Sequence, residues 1–299
     1  MLREETIKAK WPMLIIARVR DYSQLLKPNL SFMVVFSSVI GYLLAPNVTF
    51  AWDKVLILFI GGILVTCGAN TINQIIERDG DALMKRTMNR PLPDGRISVA
   101  EAWIVAITSG AAGVSILAYF FNPVAGALSL LSLLLYAFAY TPMKRVHPVA
   151  VLIGAIPGAF PPLLGWVAAT GSLGIGGWIL FLIQFFWQFP HYWAIGWVGY
   201  DEYKKAGISM LPSQERTSRF TGLQCMFYSL VLIPMALMPR VVGLSGNIGM
   251  MVAIACGIMY FAASIIFYKN NDHKSARRVM FSSFIYLPIV LLALLFDKM

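Results

Sequence analysis

Long apolar stretches separated by short polar ones run along the chain from residue 30 to its end. Each stretch is long enough to cross a hydrocarbon layer about 30 Å thick as an α-helix, at about 1.5 Å of rise per residue. The nine stretches are 30–46, 54–76, 99–121, 123–141, 149–169, 174–198, 220–239, 246–268 and 279–297. We therefore predict an all-α, polytopic membrane helix bundle, with nine transmembrane helices around a central cavity that opens to the cytoplasm. Residues 30–297 are expected to form this single domain, and residues 1–29 a cytoplasmic N-terminal segment.

Composition and charge agree with a membrane bundle. Hydrophobic residues make up 58% of the 299 residues and charged residues 13%, with a mean hydropathy of +0.70, which excludes a soluble globular domain. Of the 24 Lys and Arg residues, 21 lie in the N-terminal segment or in the loops after the second, fourth, sixth and eighth predicted helices. Because cytoplasmic loops are enriched in Lys and Arg, the N-terminus is predicted to be cytoplasmic and the C-terminus external. Topology explains the net charge of +10, so no nucleic-acid partner is expected.

The N-terminal segment indicates which membrane contains the protein. Its apolar patch, 13–17, is too short for the core of a cleavable signal, and Glu4, Glu5 and Asp21 break the acid-poor pattern of a transit peptide. We therefore expect a bacterial plasma (inner) membrane.

Three polar residues, Asn73, Glu77 and Asp81, are spaced four apart at the cytoplasmic end of the second predicted helix. Each step of four residues turns an α-helix by only about 40°, so the three side chains share one face over about 12 Å. Carboxylate and amide oxygens are ligands that Mg²⁺ accepts while it also binds phosphate. This acid stripe is the predicted metal and catalytic site. The alternatives are a frayed, solvated helix end, or carboxylates that pair with Arg78, Lys85 and Arg86.

A second acidic pair, Asp201 and Glu202, follows the sixth predicted helix on the same side. A single cavity with both acidic groups at its mouth would bring them together, so both are candidate metal ligands. Cations suited to phosphate or carboxylate surround the acids: Arg78, Lys85, Arg86, Arg90, Lys144, Arg145, Lys204 and Lys205. For any one of them, ordinary positive-inside charge is the competing explanation.

Aromatic residues crowd the end of the sixth predicted helix, where Pro190 and His191 interrupt them. Aromatic rings anchor helices at membrane interfaces, but a desolvated ring face also stabilises a carbocation by about 1–2 kcal/mol. His191 has the chemistry to ligate haem iron, to bond a carboxylate or to move a proton, and a satisfied interfacial histidine is the alternative. Metal, cations, an apolar cavity and aromatic rings together indicate transfer of an isoprenoid from its diphosphate.

The loop after the second helix contains Pro91, Pro93 and Gly95, which predict a non-helical connection. Ser98 and Glu101 have the spacing of a capping box and predict the start of the third helix.

The acid stripe, Asn73-xxx-Glu77-xxx-Asp81, together with 84–93, resembles the UbiA-type intramembrane prenyltransferases. Three further segments resemble one branch, the protoheme IX farnesyltransferases or haem O synthases: Tyr140-Thr-Pro-Met-Lys-Arg145, 158–166, and Pro190-His-Tyr-Trp193 with 201–212. The resemblance runs from about residue 22 to the last helix. This chain has Glu77 where many relatives have Asp, and its second acidic pair is weaker than the spaced Asp pairs of quinone-type relatives.

The resemblance implies that the farnesyl group of farnesyl diphosphate is joined to a vinyl group of haem B, giving haem O for terminal oxidase assembly. It implies that the acid stripe binds Mg²⁺-diphosphate, that Lys144 and Arg145 meet diphosphate or haem propionates, and that His191 and Trp193 border the haem pocket. The complete set of expected substrate-binding residues is Arg78, Lys85, Arg86, Asn89, Arg90, Tyr140, Lys144, Arg145, His191, Trp193 and Lys204.

Two other functions fit parts of this pattern. One is a prenyltransferase acting on an aromatic acid or a quinone precursor, against which the Pro190–Trp193 segment argues. The other is a membrane transporter or haem-handling assembly factor without catalysis, against which the placement of the acids at helix ends on one side argues. The expected partners are farnesyl diphosphate, haem B and membrane lipid, with a haem A synthase as a further candidate.

Overall fold

The computed structural model describes residues 15–213 and 215–299, and within these ranges the chain is all α-helical. The predicted fold class is therefore confirmed. Residues 1–14 of the predicted N-terminal segment lie outside the described residues.

Thirteen α-helices follow one another along the described chain. They are α1 (Ile15–Leu26), α2 (Pro28–Leu44), α3 (Trp52–Asp81), α4 (Val99–Phe120), α5 (Pro123–Leu134), α6 (Thr141–Met143), α7 (Ala150–Thr170), α8 (Ile175–Val198), α9 (Tyr200–Lys205), α10 (Phe220–Met235), α11 (Met238–Val241), α12 (Asn247–Asn270) and α13 (His273–Phe296). A π-helical segment, Leu135–Tyr140, joins α5 to α6 without a break.

The number of membrane-spanning helices differs from the prediction. In the described parts of the chain, seven helices are long and apolar enough to span, and the bent pair α1 and α2, which meet at 46°, makes an eighth if it is one span. The predicted count of nine is therefore not confirmed. The predicted span 174–198 corresponds to α8, which is as long as the others but is not among the seven. Its polar residues explain this, because Gln184, Gln188 and His191 lie within it.

The long helices form a closed ring in chain order, because each packs on the next and α13 returns to α2. Two further contacts, α2 with α7 and α8 with α13, cross the ring and divide it into two groups. The two largest clusters of buried apolar residues meet along this division, since α2, α7 and α8 contribute residues to both. Most of the basic residues lie in or next to the loops that follow α3, α5, α8 and α12. We call the side of the bundle on which these loops lie the basic end.

Close backbone contact holds α2 against α7. A Cβ atom added to Gly165 would overlap the carbonyl oxygen of Ser38, and one added to Gly41 would overlap that of Pro162. Small residues that let two backbones approach are typical of helix contacts in membranes. These glycines therefore fix the contact that crosses the ring.

A cavity of about 210 Å³ lies at the basic end, between the last turns of α8 and the segment 207–211. Tyr203 and Lys204 are among its lining residues, next to the second acidic pair. A smaller cavity of about 50 Å³ lies between α2, α3 and α7. The predicted central cavity shared by both acidic groups stays a prediction.

Candidate active site at the basic end

The acid stripe lies on the last turns of α3 and is almost completely buried. Asn73 is 2% exposed, Glu77 7% and Asp81 1%. An uncompensated carboxylate in such surroundings costs several kcal/mol, on the order of the penalties known for buried ions. The stripe therefore needs partners on the elements packed against it.

Each carboxylate of the stripe has a cation beside it. Lys144 Nζ lies 2.5 Å from Glu77 Oε1, and Arg90 Nη1 lies 2.5 Å from Asp81 Oδ2. Both Lys144 and Glu77 are buried, whereas the Arg90 side chain is 18% exposed. Both pairings join α3 to segments that follow it in the chain. Among the described residues the partners are thus Arg90 and Lys144, and the bases that the sequence offered for this pairing, Arg78, Lys85 and Arg86, contact other groups.

The π-helical segment before α6 places Lys144. Thr141 Oγ1 donates to the carbonyl of Tyr136 at 2.9 Å and accepts from the Asn73 amide at 3.2 Å. The Lys144 ammonium lies 4.6 Å from the centre of the Tyr140 ring, a cation–π distance. The segment after α9 also holds this turn, because Ser209 N–H donates to the Lys144 carbonyl at 2.8 Å.

Burial and charge act in opposite directions on Lys144, which follows the apolar span. Burial disfavours the ammonium, but the Glu77 carboxylate, with smaller contributions from Tyr136 and Tyr203, holds the pKa of Lys144 above its ordinary value. Lys144 is therefore a cation at neutral pH.

The second acidic pair lies closer to solvent. Asp201, whose side chain is 77% exposed, pairs with Arg216 at 3.1 Å. Glu202 accepts from Lys205 Nζ and from the Lys85 backbone N–H, both at 2.7 Å. The bond from Lys205 and then the bond from Lys85 hold the pKa of Glu202 below its usual range.

These contacts join the loop after α3 to α9. Arg86 Nη2 adds a contact to the Tyr203 hydroxyl at 3.5 Å. Across residues 15–213 and 215–299, the structure does not gather three His, Cys, Asp or Glu side chains around one metal position. The acid stripe and the second acidic pair thus share one end of the bundle without forming one ligand set.

The other predicted cations lie around this end with their side chains exposed. Arg78 pairs with Asp79 at 3.1 Å, and Lys204 lies 6.0 Å from the centre of the Tyr200 ring. The Asn89 carbonyl accepts from Arg96 at 2.8 Å. Arg145 also belongs to this exposed group, and its guanidinium lies beside Gly80 of α3.

His191 and Trp193 lie on two different faces of α8, which pack against α13 and α10. His191 Nδ1 bonds the Ser283 hydroxyl of α13 at 2.7 Å, and its ring stacks on Trp187 with centroids 4.8 Å apart. Trp193 is buried and packs edge-on against Tyr228 of α10 at 5.2 Å. These contacts, all within the described residues, do not join His191 to the acid stripe.

Sequence reasoning missed two residues of the site. Thr141 was not singled out, because a hydroxyl in an apolar helix carries no signal of its own. The sequence explains Lys27 as one of the basic residues that set the orientation in the membrane. In the structure its Nζ lies 3.5 Å from Asn73 Oδ1. The Lys27-Pro28 pair does carry a signal, since a residue before proline disfavours helical conformation and marks a helix boundary.

The acid stripe has the donor types that suit Mg²⁺. It offers two carboxylates and an amide oxygen on one helix face, and Mg²⁺ prefers oxygen ligands from few side chains together with phosphate. Glu77 Oε1 is buried and lies 2.5 Å from the Lys144 ammonium, so the structure already places positive charge at this oxygen. The residues present therefore fit a magnesium ion.

Comparison with known proteins places the chain in a family. A model of the UbiA prenyltransferase family matches residues 34–287. Protoheme IX farnesyltransferase of Cytophaga hutchinsonii is 48% identical over 282 residues, which cover 94% of this chain and 99% of that protein. The protein of the same name from Christiangramia forsetii is 42% identical over 285 residues and 93% of each chain.

Solved structures share the fold. Digeranylgeranylglyceryl phosphate synthase superposes with a TM-score of 0.78 at 21% identity, covering 94% of this chain and 98% of that one. A UbiA homolog from Archaeoglobus fulgidus bound to GPP and Mg²⁺ superposes with a TM-score of 0.65 at 19% identity, covering 92% and 99%. Together with the apolar helices, this fold makes the chain a multi-pass membrane protein. The chain belongs to the UbiA prenyltransferase family, and its near full-length relatives in that family are named protoheme IX farnesyltransferase.

Proposed function

We propose that this prenyltransferase is a haem O synthase, which transfers the farnesyl group of farnesyl diphosphate to a vinyl group of haem B. The observation that carries the proposal is the identity of 48% over nearly the whole length of a protoheme IX farnesyltransferase. The products are diphosphate and haem O, which serves terminal oxidase assembly. The buried acid stripe with its cations supplies the chemistry that this reaction needs.

The acid stripe is proposed to hold Mg²⁺ with the diphosphate. Asn73, Glu77 and Asp81 would hold the ion with their side-chain oxygens, which share one helix face. The ion would supply positive charge to the leaving diphosphate as the C–O bond breaks. The second acidic pair, Asp201 and Glu202, is proposed as a further metal-binding group at the same mouth.

Lys144 and Arg90 are proposed to change partners when substrate binds. In the structure both neutralise carboxylates of the stripe. With Mg²⁺ held by those carboxylates, Lys144 and Arg90 would be free to bind phosphate oxygens, as Arg and Lys commonly do. The exposed predicted residues around them attract and orient the diphosphate at the mouth: Arg78, Lys85, Arg86, Asn89, Arg145 and Lys204.

The chemical step is an ionisation followed by capture. The C–O bond of farnesyl diphosphate breaks with its electron pair leaving on oxygen, and the vinyl group of haem B attacks the allylic cation through its terminal carbon. Water adds to the resulting cation next to the porphyrin and loses a proton, which gives the hydroxyethylfarnesyl side chain. The rings of Tyr136 and Tyr140, with centroids 5.3 Å apart, lie next to Lys144 and are proposed to stabilise positive charge there.

His191 and Trp193 are proposed to border the haem pocket on α8. The domain over 30–297 is proposed to lie in a bacterial plasma membrane, with the N-terminus cytoplasmic and the C-terminus external. This orientation puts the basic end in the cytoplasm, as the positive-inside rule requires. A haem A synthase is the candidate partner that takes up haem O.

The test is a mass-resolved assay of purified protein with haem B, farnesyl diphosphate and Mg²⁺, with EDTA as control. Haem O formed only with metal is the expected result. Farnesylation of an aromatic acid in place of haem B would move the protein to the quinone-type branch. Protein that binds haem but forms no prenylated product with either acceptor would refute an enzymatic role.

A further inference from the structure

Lys27 adopts a backbone conformation that is unusual for its residue type. It lies between α1 and α2 with φ 51° and ψ 60°, in the left-handed region. Its N–H donates to the carbonyl of Ser23 at 3.1 Å, which ends α1, and its carbonyl accepts from Leu30 and Ser31 N–H. Glycine usually takes this position after a helix, because a Cβ atom is strained there. The backbone alone therefore favours glycine over lysine.

The side chain of Lys27 points into the candidate site. Its ammonium lies 3.5 Å from Asn73 Oδ1, and the charged groups that act on it are Glu77, Asp81, Arg90 and Lys144. Unlike Arg90 and Lys144, it has no carboxylate within ion-pair distance among the described residues. Among the described residues the site thus holds three basic side chains and two carboxylates, and the basic side chain without a carboxylate partner is Lys27.

Strain at a functional site persists when the side chain placed there has a use. We propose that Lys27 is a substrate-binding residue that donates to the diphosphate of farnesyl diphosphate. The inference rests on the proposed function and extends the site to the helix break between α1 and α2. A diphosphate keeps net negative charge when Mg²⁺ is bound, and that charge would favour the ammonium form of Lys27 beside it. Asn73 Oδ1 accepts from the ammonium and so positions it beside the carboxylates of the stripe.

Three substitutions test this role. Lys27→Gly removes the charge and the backbone strain together, and Lys27→Asn removes the charge but keeps a residue that tolerates this conformation. Lys27→Arg keeps the charge. For the first two variants, we expect KM for farnesyl diphosphate to rise on the order of 10- to 100-fold, the usual effect of losing a bond to a charged group. Lys27→Arg should recover most of the loss, and KM for haem B should not change.

Binding and stability provide readouts besides turnover. The dissociation constant for inorganic diphosphate with Mg²⁺, measured by calorimetry, should rise with the KM. The Tm of Lys27→Gly in detergent should equal or exceed that of the wild type, because the strain is gone. Asn47→Gly relieves a left-handed residue (φ 58°) at the far end of α2, and Lys269→Gln removes an exposed cation at the basic end. Both controls should leave diphosphate binding unchanged.

Unchanged diphosphate affinity in folded Lys27→Gly and Lys27→Asn would overturn the proposal. A rise in KM for haem B alone would also overturn it and would assign Lys27 to the haem propionates. The Tm of both variants could fall, with diphosphate binding reduced only in proportion to the unfolded fraction of the protein. In that case Lys27 is structural and the proposal fails. A wild-type protein that binds Mg²⁺-diphosphate through Lys27 but forms no haem O would refute the proposed acceptor and leave this inference standing.

Discussion

Asp81→Asn removes one negative charge from the acid stripe while it keeps the size of the side chain and one oxygen acceptor. In the structure Asp81 is buried, and its Oδ2 lies 2.5 Å from Arg90 Nη1. Removing one partner of a buried pair completely costs about 3–5 kcal/mol. The Asn amide oxygen still accepts from Arg90, and Arg90 is partly exposed, so we expect a loss of about 1–2 kcal/mol in the free energy of unfolding. The variant should therefore stay folded.

Activity should fall much further than stability. If Asp81 holds the metal that neutralises the leaving diphosphate, kcat/KM should fall at least about 1,000-fold, or about 4 kcal/mol of transition-state stabilisation. The assay is haem O formation under saturating Mg²⁺, with Tm measured on the same preparation. Asp53→Asn, at the opposite end of α3, removes a carboxylate far from the stripe and should leave kcat/KM unchanged.

Ligand-induced stabilisation gives a second readout. Mg²⁺ with inorganic diphosphate should raise the wild-type Tm, since a ligand at 100 times its dissociation constant stabilises by about 2.7 kcal/mol. Asp81→Asn should lose this response. Near-normal turnover, or an undiminished Tm response to Mg²⁺ and diphosphate, would refute the assignment of Asp81 as a metal ligand.

Three further outcomes are expected. Gly165→Ala should lower the free energy of unfolding by about 3 kcal/mol, at the upper end for overpacking, because the obstacle is backbone of α2. The Cβ added in Gly257→Ala meets the Ile233 side chain at 3.2 Å and the Ile233 backbone at 3.6 Å, so in a thermal melt its Tm should fall less than that of Gly165→Ala. Asp272→Ala should lower the Tm at pH 7, because the backbone N–H and then the hydroxyl of Ser275 hold the pKa of Asp272 below its usual range. That contribution is present above the unfolded-state pKa and is lost as pH falls through the folded-state pKa, so the Tm difference from wild type should vanish in a titration to acid pH. His191→Ala should raise KM for haem B on the order of tenfold and leave KM for farnesyl diphosphate unchanged; the reverse pattern in steady-state kinetics would remove His191 from the haem pocket.

Local periodicity predicted the parts of the site that depend on one helix. The spacing of Asn73, Glu77 and Asp81 requires a shared face, and the structure buries all three residues together at the end of α3. The third helix likewise begins after Ser98, whose hydroxyl oxygen accepts from Glu101 N–H at 3.1 Å. These features follow from helix geometry alone, so the sequence is sufficient to find them.

Features that depend on distant contacts were not predictable in this way. The Glu101 carboxylate, expected to complete the capping box, instead accepts from the Tyr22 hydroxyl at 2.5 Å. Helix α1 was treated as part of a charged segment, yet its Leu25 is buried against Leu92 and Ile97. In both cases a residue far along the chain decides the outcome, and no local pattern encodes that choice.

The pairing of Lys144 with Glu77 shows why such contacts matter for function. A π-helical segment inserts an extra residue into the helix, and this rotates the side chains that follow it about the helix axis. Such segments are frequent at functional sites. Here Leu135–Tyr140 precedes Thr141 and Lys144, the residues that contact Asn73 and Glu77. An uninterrupted α-helix with the same sequence would turn these side chains to another face. The sequence therefore shows the order of Thr141 and Lys144 along the chain. The direction in which their side chains point depends on the helix winding, which tertiary packing selects.

The same cations serve the resting protein and the proposed reaction. Buried carboxylates are costly, and in the structure Lys144 and Arg90 offset that cost. If Mg²⁺ binds these carboxylates as proposed, the two cations would need new anionic partners, and a diphosphate bound with the metal would supply them. Metal and diphosphate should therefore bind cooperatively, since either one alone leaves part of the site uncompensated. We therefore expect low affinity for free Mg²⁺ and for free diphosphate, and high affinity only when both are present.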